Sequence, residues 1–309
     1  MFIRPLFTAI IILGFLLPVF SQNEVLLEYR PPKEMKFITI YHVENSNEQE
    51  VMGIVQKVEM NSVIETESVV LESKANSTLL SVSYKRLRIE TISPAVDFSI
   101  DTDTKEEQPG LKYLKALTNK PFRISINRNG EIDSIAGLDE VMQNIIAEVD
   151  TNSSIFSQFK TTIHTFFDEE QIKNNLNQMN PIFPETKVGI GDSWNYQLGS
   201  IAGQFEFIST NNSKVIDIQK DKVILQIDSK VSVPEHLSKN FQDVNAIIDL
   251  KGSEVSEVGI DIKTGITMQG IKKQNINAIM RLDMSEQGQD NIQIPMKINT
   301  STEINVTLP

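Results

Sequence analysis

The sequence predicts a mainly β fold (β-rich α+β): a large curved antiparallel sheet or half-barrel with a central helical insert. Three observations carry this expectation. Apolar and polar residues alternate over long stretches, glycine turns separate those stretches, and a single block between them switches to helical spacing.

The alternation begins near Met35. Phe37, Tyr41 and Val43 share one face with Thr39, and Met52, Ile54, Val58 and Met60 share one with Gln56. Leu225, Ile227, Val231 and Val233 alternate with Gln226, Asp228, Lys230 and Ser232. Near the end, Ile276, Ala278, Met280, Leu282 and Met284 occupy even positions, followed by Ile292, Ile294, Met296, Ile298, Ile304 and Val306. A period of two places one face against a core and the other in water, as antiparallel sheets require. The stretches exceed the usual length of about five or six residues, which favours a large curved sheet over a sandwich of short strands.

Turn chemistry agrees. Asn129-Gly130 joins Phe122–Ile126 to Glu131-Ile132, and both turn residues tolerate positive φ. Lys263-Thr264-Gly265 lies between Gly259–Ile262 and Ile266–Met268, and Ser285–Asp290 separates the last two long strands. The two glycine hairpins, each followed by Gly137 or Gly270, raise the alternative of an internal duplication. Gln108-Pro109-Gly110, after an acidic run, reads as an exposed loop.

The helical block spans about 138–180. Leu138, Val141, Met142, Ile145, Ile146 and Val149 recur at helical spacing, with Asp139 and Glu140 in the first turn. A second helix is expected after Ser153 or Ser154, with Phe156, Phe159 and Ile163 on one side. A third starts at Asp168, with Gln171 placed as in a capping box, carries Ile172, Leu176 and Met179, and stops at Asn180-Pro181.

Residues 1–21 read as a secretory signal rather than part of the fold. Arg4 precedes an uncharged apolar run from Leu6 to Phe20, shorter than the roughly 20 residues a membrane span needs. Cleavage is expected between Ser21 and Gln22, leaving 22–309 as one β-rich domain, soluble and either periplasmic or extracellular. No later stretch is long and apolar enough for a transmembrane helix. Cysteine is absent, which excludes disulfides, thiolate metal sites and attachment as a bacterial lipoprotein. The net charge of −12 disfavours nucleic acid and anionic lipid surfaces. Glycosylation sequons include those that begin at Asn76, Asn152 and Asn305.

No catalytic, cofactor-binding or metal-ligating residue is nominated. His42, His164 and His236 lack a second ligand at metal spacing, and there is no nucleophile elbow or glycine-rich phosphate loop. Asp168-Glu169-Glu170 suits a helix start better than a catalytic carboxylate pair. The compact signature is Phe183-Pro184 followed by Val188-Gly189-Ile190-Gly191-Asp192-Ser193-Trp194, containing the single tryptophan. A Pro-bounded extended segment, a Gly-Asp turn and a strand opened by a buried indole account for it; a ligand-stacking indole is the alternative.

This signature, with Val25–Tyr29 and the Ile260–Gly265 hairpin, resembles an exported bacterial domain-of-unknown-function family, DUF6263. The resemblance implies export and a β-rich fold and supplies no catalytic residues. The chain departs from it at Pro31–Glu34, where the family carries a glycine, which leaves the register of the first hairpin open.

The expected function is therefore non-catalytic: an envelope protein that binds an apolar ligand or lipid. A cell-surface structural or interaction module, and a hydrolase assembled from distant residues, are the alternatives.

Overall fold

The computed structural model describes residues 24–51, 53–94, 97–106, 111–148, 169–202, 205–233, 238–241, 244–283 and 291–308. The alternating stretches form thirteen strands of one antiparallel sheet. The first half of the chain supplies β1 (Lys36–Val51), β2 (Ile54–Ser73), β3 (Ser77–Ile92), β4 (Phe98–Asp101), β5 (Phe122–Asn127) and β6 (Ile132–Ala136). The second half supplies β7 (Ser193–Ala202), β8 (Phe205–Ile218), β9 (Lys222–Ser232), β10 (Ser238–Phe241), β11 (Val244–Asp261), β12 (Thr267–Asp283) and β13 (Ile292–Thr307). Helix α1 is Leu111–Leu117, α2 is Leu138–Glu148 and α3 is Glu169–Met179. The second expected helix and the N-cap Asp168 lie outside the described residues, as do Gln108–Gly110 and the turn Ser285–Asp290.

Spatial order runs β6-β5-β3-β2-β1-β13-β12-β11-β9-β8-β7, with β4 beside β3 and β10 beside β11. Each half is a meander, and the halves join where β1 meets β13, from Ile38 opposite Thr307 to Gln49 opposite Met296. The helical block thus links β6 to β7, the two opposite edges. Helix α3 packs against both edge strands. Asn177 Oδ1 accepts from the Ile132 backbone N–H at 2.7 Å, and Lys173 Nζ donates to the Asp133 carbonyl at 2.6 Å. The sheet therefore curls around the helix without closing strand to strand.

The alternating apolar residues point inward. Phe37, Val70, Leu80, Phe122 and Ile124 pack with Leu138 of α2 and Ile172 of α3. Leu27, Phe183, Val188, Val215, Leu225 and Ile260 form a second cluster. Tyr29 packs against both, and burial pushes its phenol far above the usual range. Tyr41 and Tyr84 are likewise pushed up to about 12 by burial, so these phenols stay neutral.

A backbone seam fastens this closed end. Val25 and Val188 exchange N–H···O bonds of 2.9 and 2.8 Å. The Tyr29 N–H reaches the Arg128 carbonyl and the Arg30 N–H the Thr264 carbonyl, each at 2.8 Å. The N-terminal segment therefore touches both glycine hairpins. Arg128 pairs with Glu28, Nε to Oε1 and Nη2 to Oε2, both at 2.6 Å.

Three features depart from the sequence reading. Helix α1 was not anticipated: it is short and lacks an acidic first turn. The β1–β2 hairpin pairs throughout, from Lys36 opposite Val69 to Val51 opposite Ile54, yet its tip packs on neither face. Ile54 and Val55 there are each 65% exposed, because no other strand extends alongside them to cover the apolar positions. Glu34 adopts φ 69°, the left-handed region, in the segment where the resembling family carries glycine.

Gly265 has φ 70°, and a Cβ on it would lie 2.2 Å from the Glu28 carbonyl oxygen. Gly191 has φ 94° and open space around it. Gly191→Ala should cost about 1–2 kcal/mol for the conformation alone. Gly265→Ala should cost a further ~1–3 kcal/mol for displacing the N-terminal segment; urea unfolding of the two variants gives the difference. The Arg128 hydrogen bond holds the Glu28 carboxyl below its ordinary 4.5. Its folded value being depressed, the stability it contributes is present above about pH 4.5 and is lost as pH falls through the lower folded value. Arg128→Met should flatten the stability–pH curve in that acid range and leave its neutral-pH slope unchanged.

Candidate functional site

The inner face is divided by a row of polar side chains. Cross-strand register aligns Asn45 of β1, Thr300 of β13, Gln274 of β12, Glu254 of β11, Ser229 of β9, Asn211 of β8 and Tyr196 of β7. Seven adjacent strands thus present one continuous polar belt. Buried polar groups demand partners, and most of these have them. Asn45 Nδ2 donates to Thr300 Oγ1 at 2.9 Å, Gln274 Nε2 to Glu254 Oε2 at 3.0 Å, and Ser229 Oγ to Asn211 Oδ1 at 2.6 Å. Ser209 Oγ also donates to Asn211 Oδ1, at 3.0 Å. Burial raises the Tyr196 phenol above its ordinary 10.0, offset in part by the neighbouring Ser213 and the Ile182 backbone.

The belt's one ion pair is buried. Lys272 Nζ lies 2.9 Å from Glu254 Oε2, with side-chain exposures of 13% and 7%. The same ammonium donates to the Gln178 carbonyl at the end of α3, at 3.1 Å. A cation at a helix C-terminus is favourable, so the pair ties the helix to the middle of the sheet. A recess of about 20 Å³ remains between them, lined by Tyr196, Asn211, Glu254, Ser256 and Lys272. That is room for about one water.

On the seam side of the belt lie the two packed clusters. On the other side the inner face turns aliphatic. Ile298 stands opposite Ile276, Met296 opposite Ala278, Ile294 opposite Met280 and Ile292 opposite Leu282. Val231, Ile248, Leu250 and Ala278 are buried as a third cluster, whereas Ile292, Ile294, Ile298, Met280 and Leu282 are only half-buried. This strip is the aliphatic surface that the even-position rhythm of the last two strands anticipated.

The outer face carries a separate recess of about 450 Å³ across β1, β2, β11, β12 and β13. Glu48, Glu50, Asp249, Lys251 and Lys297 surround it, with Ile279 and Pro295 in its floor. Its opposite charges are interleaved, with Glu48 directly across from Lys297.

The residues weighed in the sequence fall in structural places. Trp194 is half-buried against the second cluster and its Nε1 donates to the Ile182 carbonyl at 2.6 Å, the role of a packing anchor. Asp192 Oδ2 accepts from the Gly189 N–H at 2.8 Å and Gly191 donates to the Val215 carbonyl, closing the turn before β7. His42 lies exposed on the outer face of β1, paired across strands with Glu303. His164, His236 and Asp168 lie outside the described residues. Among the described residues, no three His, Asp or Glu side chains gather as a metal site. No sequence motif marked the belt, because each of its residues sits alone in its own strand.

Lys272→Met should lower stability by about 3–5 kcal/mol, because it leaves Glu254 buried and unpaired. The double variant Lys272→Met, Glu254→Gln should regain most of that loss; chemical denaturation of wild type, Lys272→Met, Glu254→Gln and the double variant measures the coupling. A double-variant cost equal to the sum of the two single-variant costs would show the pair to be uncoupled.

Comparison with known proteins gives the following. No curated protein matches the chain. A lipovitellin structure solved for its lipid–protein interactions is 10% identical, with 89% of this chain and 25% of that chain covered and a TM-score of 0.46. The chain thus spans about a quarter of the lipovitellin chain's length. An outer membrane channel from Pseudomonas putida F1 is 7% identical, with 90% and 98% covered and a TM-score of 0.26. Pseudomonas aeruginosa OpdQ is 8% identical, with 88% and 98% covered and a TM-score of 0.23. With all three scores below 0.5, none bears on what this chain binds. A family model matches residues 75–267, more than half of the chain, including both the Phe183–Trp194 signature and the Ile260–Gly265 turn. The chain belongs to the family of unknown function DUF6263.

Proposed function

We propose that this is an exported, non-catalytic envelope protein that receives an apolar ligand or lipid on the aliphatic strip of its inner sheet face. The observation that carries the reading is the half-buried run of Ile292, Ile294, Ile298, Met280 and Leu282 beside a fully buried cluster. A sheet face needed only for packing would be covered, and an aliphatic strip left half-open favours an apolar occupant. Such an occupant lies along the open strip, because the recess between the polar belt and α3 admits about one water. Export rests on the charged, then apolar, N-terminal run. Among the described residues no helix is long and apolar enough to cross a membrane.

An interaction module at the cell surface is the second reading. It is favoured by the bare Ile54-Val55 tip and by the charged outer recess, neither of which the ligand reading uses.

Protein recovered from the envelope should carry a retained lipid in native mass spectrometry, on a chain beginning at Gln22. After delipidation it should bind the neutral fluorophore N-phenyl-1-naphthylamine. Met280→Glu and Ile294→Lys should each weaken that binding tenfold or more, since a charge on the strip must be desolvated when the probe sits down, at a cost of at least ~1.4 kcal/mol. Undiminished binding in both variants would place the probe elsewhere.

A further inference from the structure

We propose that the ligand is an amphiphile with an uncharged, hydrogen-bond-donating headgroup, taken by Asn47 where the polar belt gives way to the aliphatic strip. This rests on the ligand reading above and names the chemistry of its occupant. Asn47 is the next inward residue of β1 after Asn45 and stands between Ile298 of β13 and Val58 of β2. The belt's Asn45 is satisfied by Thr300. The Asn47 Oδ1 atom is buried and accepts no hydrogen bond. A buried acceptor without a donor is costly, and such orphans in folded proteins mark a missing partner. Position 47 faces aliphatic neighbours on both sides, where Val or Ile would suit the strand and leave nothing unpaired. An amide in that place therefore calls for a donor from outside the chain.

The local chemistry narrows that donor. A carboxylate or phosphate headgroup would bring an acceptor to an acceptor, into a chain of net charge −12. An ammonium group would require a carboxylate when buried, and the belt's Glu254 is already held by Lys272. A hydroxyl or amide meets the Asn47 oxygen without either cost. The aliphatic rows beginning at Ile298 and Ile276 then lie beyond the headgroup, where an acyl chain would follow.

The test uses the full mature chain, with displacement of N-phenyl-1-naphthylamine by three probes sharing one acyl chain, each below its micellar concentration. Monolauroylglycerol offers hydroxyl donors, methyl laurate offers none, and laurate is anionic. Monolauroylglycerol should displace at about 3–10-fold lower concentration than methyl laurate, the range of one neutral hydrogen bond, with laurate weakest. Asn47→Leu should bring the two esters within about twofold of each other and leave the thermal midpoint equal or higher, because it removes an unpaired buried oxygen. If both esters displace equally in the wild type, or the glycerol ester keeps its advantage in Asn47→Leu, the headgroup assignment fails while the apolar-ligand reading stands. If the fluorophore does not bind at all, both fail together.

Discussion

A sheet that does not close on itself has two open edges, and unpaired backbone groups along them are the constraint this structure must meet. Chain order sets up the solution. Because β1 pairs with β13, the two halves fuse through their terminal strands, and β6 and β7 are left at opposite ends of the sheet. The helical block between them has to bridge those ends. Helix α3 does so with ordinary chemistry: Asn177 and Lys173 satisfy β6 backbone groups, and Lys272 holds the helix C-terminus. Around that bridge the N-terminal segment stitches the two glycine hairpins together, so the closed end is fixed by backbone bonds as well as by apolar packing.

The polar belt follows from the same geometry. Strands as long as β11 and β12, of 18 and 17 residues, outrun the helices available to cover them. Where α3 ends, the inner face has to change character, and it does so in one register across seven strands. Directly paired polar side chains satisfy one another there, and the buried Lys272–Glu254 pair is tolerable because two further groups, Gln274 and the Gln178 carbonyl, share its solvation. The belt thereby separates a filled core from a surface that is aliphatic yet only partly covered.

Much of this was legible in the sequence, for identifiable reasons. Alternation in 276–282 and 292–306 named both the strands and their inward face, because a period of two ties burial to parity. Asn129-Gly130 and Thr264-Gly265 marked their turns through glycines that adopt positive φ, and Leu138, Val141, Met142 and Ile172 marked the buried faces of α2 and α3. What stayed hidden was non-local. Nothing in residues 36–51 says that they pair with 292–307, since that contact joins the two ends of the chain. Asn45, Gln274 and Glu254 look like wet-face residues until register brings them side by side. The hairpin tip misled in the opposite way: Ile54 and Val58 have the inward parity, but parity cannot report that the neighbouring strands have already ended.

The charge distribution bears on how such a surface resists self-association. Half-open aliphatic rows on long strands invite edge-to-edge and face-to-face association. Here the outer face over the same rows carries Glu48, Glu50, Asp249, Lys251 and Lys297, and the whole chain carries −12. Interleaved charges on one face and net repulsion between copies oppose self-association without covering the inner strip. The net negative charge acts against stacking of copies and leaves the inner strip uncovered. Acidic composition, which by itself says only that nucleic acid is an unsuitable partner, thus becomes part of how an aliphatic surface is kept open.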